Sequence, residues 1–459
     1  MTKWPNDEMN GPMTMTMSTA PDIKMPLPGP KAAAIVARDR ARVSPSYTRD
    51  YPFVMARGAG AVVEDVDGNT FLDCAAGIAV TGTGHSHPSV VAAIIDQAQK
   101  YLHMSGTDFY YEPQVELAEE MSRIAPVGGD ARSFFGNSGA EAVEAALKLA
   151  RYHSKRVNVI AFLGSFHGRT LGALSATSSR FVQRRGFGPM MPGMYHAPYA
   201  NCYRCPVGRQ PDTCAAECVN YVEEQIMVHL VSPDEVAAVL VEPVQGEGGY
   251  LVPPPQFLQR LRALTSKHGI LLIADEVQSG MGRTGRMFAC EHFGVDVDIV
   301  TVAKGIASGL PLSVTVSRAS VMDWPPGAHA STFGGNPVSC AAALATIKVL
   351  KDGLIKNAEV VGAYLKDKLL ALKDRYPLIG DVRGLGLMVG VELVRDRQTK
   401  ERATTERNQM VQEMFKRGVL LLGAGQNALR FAPPLVISKA QVDVVVDIFE
   451  QSLKQVPKS

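Results

Sequence analysis

The sequence predicts an α/β fold, a mainly parallel sheet wrapped by helices, with a smaller α+β domain built from both ends of the chain. Two observations carry this. From about residue 76 to 335, short apolar runs alternate with helical patterns. The runs at 157–162, 236–241, 270–274 and 298–302 are mostly apolar at successive positions rather than at alternate ones. Strands buried on both faces have that composition, and a parallel sheet covered by helices buries both faces. At 459 residues the chain can also bury a large core without disulfide or metal staples.

The elements follow in order. Residues 1–30 are rich in Met, Pro, Thr and Asn and read as a mobile tail. They lack the basic start, apolar stretch and small-residue cleavage site of a secretory signal. Residues 31–75 form the N-terminal part of the smaller domain. Within them GAVVEDVDGNTFLD alternates apolar and polar residues around Asp67-Gly68, a hairpin signal. Residues 76–335 form the large domain. After Pro337 a helical pattern over 339–350 opens the C-terminal part of the smaller domain, 336–459. There is no internal repeat.

Composition excludes several classes. Hydrophobic residues are 46% and charged residues 20%, so the chain is not wholly disordered. A formal charge of +2 offers no basic field for nucleic acid. No apolar run reaches the roughly 18 residues of a membrane span. The expected location is the cytoplasm, with neither nucleic acid nor membrane as partner.

In open α/β sheets, ligands bind beyond the carboxyl ends of the strands. The run GILLIAD ends in Asp275, and the run DIVTVAK ends in Lys304, 29 residues later. Each alone reads equally as half of a salt bridge capping two strands. Together they match a further need. A lysine that joins pyridoxal phosphate as a Schiff base requires an acid to hold the pyridine nitrogen protonated, so that the ring can draw electrons. The phosphate needs a seat, and GNSGAEAVEAALKLAR supplies one. Asn137-Ser138-Gly139 is a tight turn, followed by a helix with apolar positions at Ala140, Val143, Leu147 and Ala150. Free amides at Ser138, Gly139 and Ala140 and the helix dipole would hold an anion. Ordinary capping by Ser138 is the plainer alternative. Glu144 and Lys148 are spaced for an i,i+4 pair on the outer face.

With these sites goes a resemblance. FFGNSGAEAVEAALKLAR, FHGRTLGALSAT, VEPVQGEGG, LLIADEVQSGMGRTG, TVAKGI, STFGGNPVSCAAAL and ALRFAPPL occur in the order and spacing of class III aminotransferases. These are fold-type I pyridoxal-phosphate enzymes that include 4-aminobutyrate, ornithine and acetylornithine aminotransferases. The resemblance spans nearly everything after residue 30 and implies a seven-stranded large-domain sheet. It implies that Lys304 is the Schiff-base lysine and Asp275 the pyridinium partner. Phe166 would stack on one ring face and Val277 on the other, with Gln278 at the ring hydroxyl and Glu242 also at the cofactor. Ser138, Gly139 and Ala140 would hold the phosphate. Thr332 would reach the phosphate of a neighbouring subunit, which implies a homodimer or dimer of dimers with shared active sites.

The resemblance also implies a substrate site. Arg430 matches the arginine for the α-carboxylate of glutamate and 2-oxoglutarate, and Glu247 the carboxylate that pairs with it when no such carboxylate is present. Arg169 matches the arginine for the other carboxylate; a guanidinium fork suits that task. Ile78 stands where ornithine-specific members carry tyrosine and 4-aminobutyrate members isoleucine, although VTGTGH departs from the usual VLNTGH. The expected reaction moves an amino group from an ω-amino acid, 4-aminobutyrate preferred over ornithine or acetylornithine, to 2-oxoglutarate. An amino-acid racemase or epimerase of the same subgroup is the alternative.

Three signals stand outside this reading. GMGRTG imitates a dinucleotide fingerprint, but the preceding strand ends five residues earlier and no helix opens at its third glycine. Cys202, Cys205, Cys214 and Cys218 fit free thiols, an oxidised pair or a four-thiolate metal or iron–sulfur site. The expected chemistry needs no metal. His85 and His87 read as turn histidines bonded to backbone.

Overall fold

In a computed structural model that describes residues 20–456, seven strands form the central sheet. Across it they run Ala131–Gly136, Ser313–Arg318, Ile299–Val302, Leu271–Asp275, Val236–Val241, Asn158–Phe162 and Met194–Ala197. Ser313–Arg318 is antiparallel to both of its neighbours, and the other pairings are parallel. Every residue of Val236–Val241, Leu271–Asp275 and Ile299–Val302 is buried, as their continuous apolar character requires.

Three strands lack that character. Ala131–Gly136 and Met194–Ala197 are the two edges of the sheet and keep partly exposed residues. Ser313–Arg318 alternates hydroxyl and valine side chains although its first five residues are buried. Thr315 stays satisfied there by donating to the Ala142 carbonyl at 2.9 Å.

The ends of the chain meet in a second sheet. The strands Val62–Asp65 and Thr70–Asp73 pair antiparallel around Asp67-Gly68, and Thr70–Asp73 pairs in parallel with Val419–Leu420. A third sheet orders Ile379–Leu385, Met388–Asp396, Ala428–Phe431 and Leu422–Ala424, with Glu401–Arg402 beside Met388–Asp396. Of the expected mobile tail, residues 1–19 lie outside the described residues. Residues 20–29 are laid on the hairpin: Asp22 and Thr70 exchange backbone hydrogen bonds of 3.0 and 2.9 Å. The helix expected over 339–350 spans Pro337–Val349, opened by Asn336, whose side chain accepts from the amides of Val338 and Ser339. Among the described residues no helix is long and apolar enough to cross a membrane.

The helix Ile355–Arg375 packs against the turn at Gly386, and Gly362 makes the contact. A Cβ at Gly362 would overlap the Gly386 carbonyl, which is backbone and cannot swing aside. Gly362→Ala is therefore expected to cost about 1–3 kcal/mol despite the higher helix propensity of alanine. Chemical denaturation checks it: unchanged or raised stability would show that the turn gives way freely.

Candidate active site

Six strands of the sheet point the same way, and their carboxyl ends share one edge. Gly136 leads to Ser138, Phe162 to Phe166 and His167, Val241 to Glu242, and Val302 to Lys304, while Asp275 is itself a last strand residue. Residues far apart in sequence are thus collected by sheet topology.

The helix Gly139–Ser154 opens with a capping box: Ser138 Oγ accepts from the Glu141 amide, and the Glu141 carboxylate accepts from the Ser138 amide at 2.9 Å. The Asn137 amide also donates to Glu141, at 2.6 Å. This corrects the expectation of three free amides. Ser138 is committed to its own helix, which leaves Gly139 and Ala140 as the first-turn amides without an intrahelical partner. The expected Glu144–Lys148 pair is absent too. Glu144 accepts from Thr170 Oγ1 at 2.6 Å and the Ala173 amide at 3.0 Å, while Lys148 Nζ lies 2.8 Å from His329 Nδ1. Tertiary partners displace the local pair.

Asp275 is buried, with one oxygen 2.6 Å from His167 Nδ1. Its other oxygen accepts from the Val277 amide at 3.0 Å and from Thr301 Oγ1 at 3.3 Å. Burial pulls the His167 pKa down, but the Asp275 hydrogen bond and charge outweigh it and raise it overall. His167 Nε2 is buried without a partner among the described residues. Glu242, beside this pair, accepts from the amides of Phe166 at 2.9 Å and Gly246 at 2.8 Å. Burial pushes its carboxyl up to about 7. Lys304 takes a left-handed backbone at φ 46°, a conformation that costs a non-glycine residue about 1–2 kcal/mol and recurs at functional sites. Burial lowers its amine pKa, while Asp275, Glu247 and Glu242 pull the other way.

Lys304 opens on a cavity of about 640 Å³ that Phe166, Arg169, Glu247, Arg430 and Ile78 also line. Arg430, on the strand Ala428–Phe431, is ion-paired through Nη1 with Glu247 Oε1. Burial opposes ionisation of Glu247, yet Arg430 holds its carboxyl below the ordinary value. Ile78 projects from a one-turn left-handed segment: Ala76, Gly77, Ile78 and Ala79 have φ of 48, 63, 67 and 62°. Arg169 is exposed, its guanidinium 5.8 Å from the Phe166 ring centroid. Gln278 is buried and accepts from Tyr250 Oη at 2.9 Å. Val277 lies against Gly139, where a Cβ would come within 2.8 Å of Val277 Cγ1. Thr332 is not brought to the cavity; it is exposed on its own chain, next to Ser331, which accepts from Asn137 Nδ2 at 3.2 Å.

Sequence reasoning passed over His167, Tyr250, Arg180 and Arg407. His167 stood inside the quoted FHGRT stretch; a histidine between Phe166 and Gly168 was the available signal. The others have no local signature. Outside the cavity, the four cysteines of 202–218 carry free thiols, and among the described residues no group of three or more His, Cys, Asp or Glu is arranged to hold a metal. His85 binds the Asp73 carboxylate at 2.8 Å rather than backbone, whereas His87 Nδ1 accepts the Ser89 amide at 3.3 Å.

Comparison with known proteins agrees with this geometry. The family described as aminotransferase class-III matches residues 43–453. An alanine/serine racemase of Pyrococcus horikoshii is 38% identical over 442 residues, 95% of this chain and 93% of that protein. A 4-aminobutyrate aminotransferase of Mycobacterium leprae is 40% identical over 439 residues, 93% of this chain and 96% of that protein. The crystal structure of an amine transaminase from an uncultivated Pseudomonas species, in its pyridoxal-phosphate-bound form, superposes with a TM-score of 0.82 at 33% identity, covering 91% of this chain and 98% of that one. A half-buried lysine and a buried carboxylate at the carboxyl edge of a fold-type I sheet thus belong, with the rest of the chain, to the pyridoxal-phosphate-dependent class III aminotransferases.

Proposed function

We propose that the chain transfers the amino group of an ω-amino acid, 4-aminobutyrate before ornithine or acetylornithine, to 2-oxoglutarate, giving a semialdehyde and glutamate. The observation that carries this reading is the Glu247–Arg430 ion pair on the wall of the Lys304 cavity.

The residues present fit pyridoxal phosphate. Lys304 offers a desolvated amine, Asp275 a buried carboxylate, and Gly139 and Ala140 free first-turn amides. Gly139 and Gly168 let this backbone pack closely: a Cβ at Gly139 would come within 2.8 Å of Val277 Cγ1, and one at Gly168 within 2.7 Å of Ala140 Cβ. When bound, the cofactor supplies an electron sink for the carbon that bears the reacting amine.

The chain supplies the rest. Lys304 Nζ, its pKa lowered by burial, takes the proton from the donor carbon and later returns one to the acceptor carbon. Asp275 would keep a proton on the pyridine nitrogen, and His167 fixes the orientation of that carboxylate. Phe166 and Val277 would hold the ring between them, Gln278 would address its hydroxyl, and Glu242 positions the Phe166 segment through the backbone. Arg430 binds an α-carboxylate beside the reacting carbon. When the donor brings only CH2 there, Glu247 stays on Arg430 and spares the site a bare cation. Ile78 offers an apolar wall to the donor chain, and the distal carboxylate faces the outer arginines, Arg169 among them. In a homodimer or dimer of dimers, exposed Thr332 reaches the partner's phosphate seat.

A second reading, an amino-acid racemase, is favoured by the 38% identity to the alanine/serine racemase over nearly the whole chain. A donor panel with 2-oxoglutarate separates the two. Glutamate formation, strongest with 4-aminobutyrate, is the expected result. Loss of optical activity from an α-amino acid, with no 2-oxoglutarate consumed, would replace the transaminase by the racemase.

Two further outcomes follow from the geometry. Asp275→Asn should slow the chemical step by several orders of magnitude, because an amide cannot stabilise the protonated nitrogen; turnover near that of the wild type would reduce Asp275 to a structural cap. Arg430→Ala leaves the glutamate carboxylate unpaired, at about 3–5 kcal/mol for a buried partner. It should therefore slow the glutamate half reaction at least about a hundredfold, at roughly 1.4 kcal/mol per tenfold, and the ω-amine half reaction far less. Glu247→Ala should do the reverse. Single-turnover rates of each half reaction decide, and equal losses in both halves would mean that the ion pair gates nothing.

A further inference from the structure

Cys202, Cys205, Cys214 and Cys218 have no part in the proposed reaction. They lie on a segment with three single 3-10 turns, Cys202–Arg204, Pro211–Thr213 and Glu217–Val219. Asn201 caps the first turn, its Oδ1 accepting from the Arg204 amide at 3.1 Å. Cys202 opens that turn and Cys205 closes it. Side chains three apart on a 3-10 turn eclipse one another, so these two thiols share a face. Both are free and half-buried. Cys205 Sγ accepts the Arg209 amide at 3.3 Å, and Cys214 Sγ the Glu217 amide at 3.4 Å. Arg209 and Glu217 are ion-paired at 2.7 Å, which ties the two halves of the segment together. Burial raises the pKa of Cys202, and the charges of Cys205 and Cys214 add to the effect. Cys202 also opens on a cavity of about 400 Å³ that Arg383, Lys400 and Leu251 help to line, which gives a small reagent access.

The two residues between these thiols grip the smaller domain. Tyr203 lies on Gly380, where a Cβ would come within 2.5 Å of its Oη, and its carbonyl accepts from Lys400 Nζ at 2.6 Å. Arg204 Nε donates to Glu392 Oε1. Glu392 is buried, and its other oxygen accepts from Arg383 Nη1 at 2.8 Å. Burial opposes its ionisation, yet Arg383 and Arg204 hold its carboxyl below the ordinary value. Arg383 in turn donates Nε and Nη2 to the Gly249 carbonyl, at 3.1 and 2.8 Å. Gly249 is two residues beyond Glu247, the partner of Arg430. Contacts thus run without a break from the dithiol, through Arg204, Glu392 and Arg383, to the segment that carries Glu247. Buried charges in such a series depend on one another, so moving one end loosens the other.

We propose that Cys202 and Cys205 form a thiol–disulfide switch, closed by a low-molecular-weight disulfide, whose oxidation loosens the Glu247 segment. One thiolate of the pair attacks a sulfur of the oxidant and expels its other half. The second cysteine then attacks the mixed disulfide and releases the remaining half. The S–S bond of the oxidant is reduced to two thiols, which take up the two cysteine protons, and one S–S bond forms in the protein. That bond draws in the turn and, with it, Tyr203 and Arg204, so Glu392 loses part of its charge partner. The dithiol does not depend on the substrate, but its effect on turnover rests on the aminotransferase reading.

The test uses the enzyme loaded with pyridoxal phosphate, equilibrated with reduced and oxidised glutathione at a series of ratios. Remaining thiols are trapped with a maleimide, and disulfides are mapped by peptide mass. A Cys202–Cys205 disulfide is expected, reversed by dithiothreitol. On oxidation, hydrogen exchange over residues 245–251 should rise. The ω-amine half reaction should slow about fivefold or more, the lower end of ordinary coupling between two sites. The glutamate half reaction, in which the Glu247–Arg430 pair must open, should slow less. Cys205→Ser should keep the rates of the reduced enzyme and lose both responses, and Cys202→Ser takes its place if that variant does not fold. Thiols that stay free at every ratio, glutathione adducts without the internal bond, a different pairing, or stoichiometric zinc on the purified protein would each overturn the switch. Unchanged exchange in the mapped disulfide form would overturn it too. A rise in exchange on oxidation, with neither transaminase half reaction detectable, would sink the aminotransferase reading and leave the switch standing. Normal half reactions in an enzyme whose thiols never pair would do the opposite.

Discussion

A desolvated lysine set among buried carboxylates at the carboxyl edge of the sheet is the constraint on which the site depends. Burial penalises every charge there, so each group is stable only in company. Asp275 is held by His167, Thr301 and the Val277 amide, and Glu242 by two backbone amides. Glu247 and Arg430 answer each other. Loosening any one of these shifts the others, because they share one poorly solvated volume.

The sheet makes that company cheap to assemble. Its strands bury both faces and cannot easily shift register, since the side chains packed above and below are fully enclosed. What projects beyond their ends is therefore placed by the core. The smaller sheets add the substrate side: Arg430 comes from Ala428–Phe431, which reaches Lys304 only because the last third of the chain folds back against the large sheet. Left-handed backbone recurs in this region, at Lys304 and across the Ala76–Ala79 turn. In the proposed reaction the two walls divide the work, the large sheet serving the cofactor and the small sheets the carboxylates.

Much of this was legible in the residues. Asp275 and Lys304 stood at the ends of apolar runs, where buried strands must stop and polar groups can emerge. The capping signal of Ser138 and Glu141 marked the start of a helix. Less legible were the edge strands Ala131–Gly136 and Met194–Ala197 and the antiparallel Ser313–Arg318, since partial exposure or hydroxyl side chains break the apolar run. The capping alternative for Ser138 also competed with the anion seat, and the structure gives that amide to Glu141.

Sequence by itself determined the sheet-and-helix architecture and the placing of Asp275 and Lys304 at strand ends, because these depend on residue type and on contacts within a strand or turn, and the order of its motifs carried the resemblance to the family. Tertiary structure alone decided which charges are paired. Nothing near His167 in sequence points to Asp275, 108 residues away, nor does Glu247 announce Arg430 across 183. Arg407 looks like any helix-surface arginine until the fold buries it on Gly423, where among the described residues no ion pair holds it. Pairing is a property of distance and desolvation, and both are set only when the sheets close on one another.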